Sequence, residues 1–184
     1  MKTQLTIAPI LFHWTAEQKL DFYARIADEA PIDVVYLGEV ICSKRTPFFE
    51  KHYDAVAERL TRAGKTVVFS TLAEVMLKRE RNMIAKFCDL EEYELEISDS
   101  SALWHLDNKP YRVGSLMNVY NEDTMAYLAG KGATHFSLPA ELPRDSVAIL
   151  AARAKELGVT VEVQVFGRVS LALSARCYHA RAHG

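Results

Sequence analysis

The chain has 184 residues, with 22 Lys or Arg against 24 Asp or Glu and a formal net charge of -2, which is a single-domain length without a basic excess. That balance argues against a nucleic-acid or anionic-membrane partner, and 49% hydrophobic with 25% charged residues argues against a disordered or fibrous chain. Three widely spaced cysteines do not make a disulfide framework and point to a reducing, cytoplasmic setting. No run approaches the ~18 apolar residues of a membrane span, and the opening MKTQLTIAPILFHW lacks the small-residue cleavage site of a signal peptide.

In chain order, the apolar residues 5–11 read as a buried strand. Thr15, with Gln18 three residues later, reads as a capping box that opens a helix over 16–30, whose apolar face is Leu20, Phe22, Tyr23, Ile26 and Ala27. A second cycle follows, with a strand over 33–37, a loop over 38–47 and a helix over 48–63 closed by Gly64. The third is a strand over 66–70 and a helix over 72–88. The middle of the chain gives strands over 93–97, 112–116 and 134–138, followed by helices over 100–107, 122–130 and 144–157, the last with Pro143 suited to its first turn. Alternating residues 159–165 form the seventh strand.

Alternation on this scale with short connections predicts one α/β domain over 1–184 with parallel strands. The first strand is followed by APILFHW rather than a glycine-rich phosphate loop, which disfavours the open doubly wound sheet. Polar residues fall instead at the carboxyl ends of many strands, among them His13, Glu39, Ser70, Thr71, Ser98, Asp99, Asn118, Tyr120, Glu141 and Arg168, as the active face of a (β/α)8 TIM-type barrel requires. The eighth strand is missing, so the expected barrel is incomplete and the chain reads as a fragment of a longer protein.

Two cysteines lie at such strand ends. Cys42 is followed by Lys44 and Arg45, and Cys177 lies between Arg176 and the pair Tyr178 and Arg181. Neighbouring cations favour thiolate, the form that ligates metals. Two thiolates make half of an iron-sulfur or zinc site, with His13, His179 and Glu39 as candidates for the remainder, whereas the plainer reading of each cysteine is a small buried hydrophobe. Cys88, in KFCDL, reads as packing. Glu39, Glu141 and Glu162 are either acid-base carboxylates or halves of ion pairs with Arg112, Arg168 or Arg176. Asn118 either faces a ligand's polar group or turns the chain, and Asn121 reads as a helix cap. Tyr36, Phe69, Tyr120 and Phe166 are the candidate walls of an aromatic pocket. No nucleophile elbow, phosphate loop or zinc-protease helix is present in the sequence.

The segments LGEVICSKR at 37–45 and FGRVSLALSARCYHAR at 166–181, supported by FSTLAEV at 69–75, NVYNEDT at 118–124 and LPAELPRDSV at 138–147, resemble the collagenase-like peptidase family of unclassified catalytic type. The likeness runs over the whole chain and is greatest to the branch that serves ubiquinone biosynthesis. Peptidase-type members carry two cysteines in the strand-seven signature, whereas here Ser170 takes the first place and Cys177 the second. The resemblance implies a 4Fe-4S cluster held by four cysteines, in which Cys42 and Cys177 match the first two places and the other two fall beyond Gly184. It also implies an iron-sulfur subunit for oxygen-independent hydroxylation of a ubiquinone precursor, in a heterodimer with a second, UbiU-like member of the family. A peptidase or amide hydrolase and a non-catalytic partner-binding barrel are the alternatives.

Overall fold

The computed structural model describes residues 3–169. Seven strands, Thr6–Ile7 (β1), Val34–Leu37 (β2), Thr66–Ser70 (β3), Glu94–Ile97 (β4), Tyr111–Val113 (β5), Ala133–Ser137 (β6) and Thr160–Glu162 (β7), pair in sequence order, every neighbouring pair parallel. The main helices between them are Ala16–Glu29 (α1), Tyr53–Arg62 (α2), Lys78–Cys88 (α3), the short Leu103–Leu106 (α4), Glu122–Ala129 (α5) and Arg144–Leu157 (α6). The sheet curls into an incomplete α/β barrel of the TIM type, as the alternation predicts. Among the described residues no helix is long and apolar enough to cross a membrane.

Local chemistry explains most boundaries. Thr15 accepts from the Gln18 N–H while the Gln18 side chain accepts from the Thr15 N–H, which closes the capping box at α1. Asn121 caps α5 through the Thr124 N–H at 2.8 Å, and α6 ends where Gly158 takes a left-handed conformation.

Several elements begin or end elsewhere than the hydrophobic pattern indicates. The expected helix over 48–63 opens with two 3-10 turns, Thr46–Phe48 and Glu50–His52, before α2 begins. Helix α3 starts at Lys78 rather than 72 because the Glu80 carboxylate accepts from the N–H groups of Met76 and Leu77, which fixes that point as the helix entrance. Strand β1 pairs over only two residues of the expected 5–11, and Pro9, which has no N–H to donate, stands just beyond. Strand β5 stops at Val113 before a 3-10 turn, Ser115–Met117, and Pro143 occupies the cap position of α6 rather than its first turn.

Strand alternation sorts side chains onto two faces. The outer set, Leu37, Phe69, Ile97, Val113 and Phe136, packs with Leu60, Ile84, Met125 and Leu150 of the helices in one continuous core. A second, small cluster of Val34, Tyr36 and Val68 belongs to the inner face of β2 and β3.

The rim at the carboxyl end of β2 depends on one glycine. Gly38 has φ +139°, and a Cβ there would lie 2.3 Å from the Ser70 carbonyl oxygen, so the chain passes β3 closer than any side chain permits. Gly38→Ala is therefore expected to lower unfolding free energy in urea by about 2 kcal/mol or more. A variant within ~0.5 kcal/mol of the parent would contradict this close approach.

Candidate functional site

Two groups of polar side chains stand on the barrel, one on the rim at the carboxyl ends of the first strands and one on the inner face. At the rim, the loop after β2 folds back on Glu39, which is buried and whose Oε1 accepts from the N–H groups of Ile41 and Cys42, each at 3.0 Å. Cys42 is a free, half-buried cysteine whose sulfur has no hydrogen-bond partner among the described residues. Its basic escorts divide. Lys44 is exposed, while Arg45 donates to the Leu11 carbonyl at 2.8 Å and so ties the loop after β1 to the loop after β2. Lys19, buried on α1, holds its ammonium 5.2 Å above the Phe49 ring. Burial lowers the pKa of Lys19, and the Glu39 charge opposes that shift. Ser43 and Arg79 join the same region, with the Ser43 hydroxyl donating to Glu80 at 2.6 Å and accepting from Arg79.

The inner face carries charge where TIM-type barrels usually carry branched apolar side chains. Arg112 on β5 donates to Glu94 on β4 at 2.7 Å and to the Tyr36 hydroxyl on β2 at 3.1 Å. Tyr36 in turn donates to Glu162 on β7 at 3.2 Å. His135 on β6 shares a 2.7 Å hydrogen bond with Thr160 through Nδ1 and holds Nε2 3.4 Å from Glu162, close enough for electrostatic contact but without a hydrogen bond. Beside this chain lies Glu96 on β4, which accepts from Ser70 at 2.6 Å and from Ser137 at 3.4 Å.

These environments push two inner carboxyls apart. Burial, aided by the Glu162 charge, raises Glu96 to about 7 against the hydrogen bond from Ser70. Burial works to raise Glu162 as well, but the adjacent His135 ring and the contacts with Thr6 and Tyr36 outweigh it and hold its pKa below the usual carboxylate range. The Tyr36 phenol is pushed upward, first by burial and then by the Glu162 and Glu96 charges, so it stays a donor.

The residues nominated from sequence divide among several places. Glu39, Ser70, Thr71 and Ser98 are buried at the strand ends. Asp99 and Asn121 serve as caps, and Asn118 turns the chain at φ 56°. Glu141 bonds Tyr120 on the surface, and His13 packs edge-on against Phe48. Arg168 lies over the Phe12 ring rather than beside a carboxylate, and Arg112 forms its ion pair with Glu94 rather than with Glu39, Glu141 or Glu162. Of the four aromatic wall candidates only Tyr36 reaches the inner face, since Phe69 belongs to the outer core and Tyr120 and Phe166 are exposed. Cys88 is buried packing, its thiol raised to about 11 by burial. Cys177, Ser170, Arg176 and His179 lie outside the described residues. Glu94, Glu96 and His135 were not nominated, although the alternation in ELEI at β4 marks its two glutamates as sharing one face.

The family model for Peptidase family U32 matches residues 17–184. The chain belongs to peptidase family U32. No solved structure matches it. Among the described residues of this U32 chain, no group of three or more His, Cys, Asp or Glu side chains is disposed to hold a metal ion. Of the two cysteines that the resemblance assigns to a four-cysteine cluster, only Cys42 lies among the described residues, as a free, half-buried thiol on the strand-end rim.

The inner carboxyls make a pH prediction whose sign is fixed by their opposite shifts. Glu96 binds its proton more tightly folded than unfolded, so its contribution is full below the ordinary carboxylate pKa of 4.5 and is lost as pH rises through about 7. Glu162, with a lowered pKa, acts in the opposite sense and only in acid. Between pH 5 and pH 8 the wild type is expected to lose on the order of 2 kcal/mol relative to Glu96→Gln in urea unfolding. Parallel pH profiles for the two proteins would contradict the assignment.

Proposed function

We propose that this U32 chain is a UbiV-like iron-sulfur subunit of an oxygen-independent hydroxylation system that acts on the aromatic ring of a ubiquinone precursor, together with a UbiU-like partner in a heterodimer. The observation that carries the reading is the pairing of LGEVICSKR with SARCYHAR, in which Ser170 replaces the first cysteine of the peptidase-type signature and Cys42 adds a thiol after β2. Support from the fold is that Cys42 stands on the rim where barrel enzymes keep their chemistry, with its sulfur uncommitted among the described residues. Cys42 and Cys177 would hold two corners of a 4Fe-4S cluster, which when bound supplies one-electron transfer at a potential tuned by nearby charge and hydrogen bonds. The chain's own contributions at the rim are to present the Cys42 sulfur on a loop whose N–H groups are gathered by Glu39, and to fasten that loop to the one after β1 through Arg45.

A second reading, a peptidase or amide hydrolase, is favoured by one observation, the inner carboxyl Glu96 with its pKa near neutrality, where a general acid or base is effective.

Anaerobic purification of the full-length protein separates the two. The cluster reading expects about four irons and four sulfides per chain with a reduced-state paramagnetic signal, and loss of most of that iron in Cys42→Ala and in Cys177→Ala. Iron-free protein after reconstitution would end the cluster reading, and peptide turnover that survives both substitutions would put the hydrolase in its place.

A further inference from the structure

The inner face holds a buried carboxyl that neither the rim thiol nor the ion pairs of the barrel explain. Glu96 is only 7% exposed and has no ion-pair partner among the described residues. The charged groups that face it are already engaged: Arg112 of β5 with Glu94 and Tyr36, and His135 of β6 with Thr160 and Glu162 of β7. What touches Glu96 are two hydroxyls, Ser70 on β3 and Ser137 on β6. A hydroxyl donates to a carboxylate and, by rotating, accepts from a carboxylic acid, so this pair serves both protonation states without moving a heavy atom.

On the β5 side the chain leaves space beside the carboxyl. Gly114 has φ -73°, which any residue adopts, yet a Cβ there would lie 3.2 Å from the Glu96 Cδ and 2.8 Å from the Ser98 Oγ. Glycine at this place is thus a matter of room, for Ser98 first and then for Glu96 and the Ile97 carbonyl, rather than of backbone conformation. Two neighbouring carboxyls, one tied to a phenol and an imidazole and the other to two hydroxyls, make the arrangement by which enzymes separate a fixed anion from a group that exchanges protons.

We propose that Glu96 is the proton-transfer residue of this barrel, exchanging its carboxyl proton with an oxygen or nitrogen of a small polar ligand received at the carboxyl ends of the strands, while Glu162 remains the fixed anion beside it. In one direction the ligand's O–H or N–H bond breaks, the proton bonds to a Glu96 oxygen and the electron pair stays on the ligand atom. In the other direction the carboxylic acid returns the proton and Ser70 and Ser137 turn to donate to the carboxylate. The inference concerns the inner face and makes no use of the rim cysteine, so it stands apart from the cluster reading.

Two measurements test it. In a strain lacking the gene, full-length Glu96→Gln is expected to reduce complementation at least tenfold while the purified variant keeps the wild-type melting temperature at pH 6, and Glu96→Asp is expected to restore part of the function. Glutamine preserves size and neutrality, so a purely structural role predicts that Glu96→Gln complements fully, and that result would overturn the proposal. In the full chain labelled with carbon-13 at glutamate carboxyls, one resonance is expected to titrate with a midpoint near 7, to vanish in Glu96→Gln and to move to lower pH in Glu162→Gln. Titration of every glutamate in the ordinary carboxylate range would overturn it independently, including where Glu96→Gln does not fold. Iron content plays no part in either outcome, so failure of the cluster reading leaves this test intact.

Discussion

A single hydrogen bond discloses the shape of this protein, that from Tyr36 on β2 to Glu162 on β7. The two strands are separated by five pairings in the sheet, which laid flat would put them about 24 Å apart. A contact of 3.2 Å between their side chains exists only because the sheet curls and brings its inner face together. Arg112 extends the same chain of contacts to β4 and β5, and Glu162 joins it to His135 on β6. The curl is thus recorded in polar side chains, and their mutual satisfaction is what makes a charged inner face tolerable in a largely buried place.

From that constraint the division of labour follows. The outer face is apolar and continuous with the helices, so it supplies the burial that holds the fold. The inner face is then available for groups that folding alone does not require, and it keeps one carboxyl anionic while leaving another with a proton near neutral pH. The rim is a third environment, where loop backbone wraps a buried glutamate and leaves a sulfur uncommitted among the described residues. The inner carboxyls and the Cys42 sulfur therefore occupy separate surfaces of one barrel.

Most of the architecture was legible in the sequence because the period of the apolar residues changes cleanly between strand and helix. The capping box at Thr15 and the cap at Asn121 form as their spacing predicts. Entrances decided by side chains reaching backward were less legible, as at α3, where Glu80 and not the apolar pattern sets the start. The site was harder still. Alternation in β4 places Glu94 and Glu96 on one face, but no local pattern says that this face turns inward to meet residues from β3, β5 and β6. Glu162 was recognised as a possible acid-base group, while its partner Tyr36 is 126 residues away in the chain and joined to it only by closure, and His135, 27 residues away, meets it through the pairing of β6 with β7. The glycine at 114 carried no visible signal, since its reason is the room it leaves for a side chain on another strand.

The measurement that bears most directly on this account is a double-mutant cycle on Tyr36→Phe and Glu162→Gln, read by urea unfolding at pH 7. Direct contact across the curled sheet predicts a coupling free energy of about 1 kcal/mol between the two positions. Strictly additive effects would mean that β2 and β7 do not meet across the inner face, and the polar network described here would fall with them.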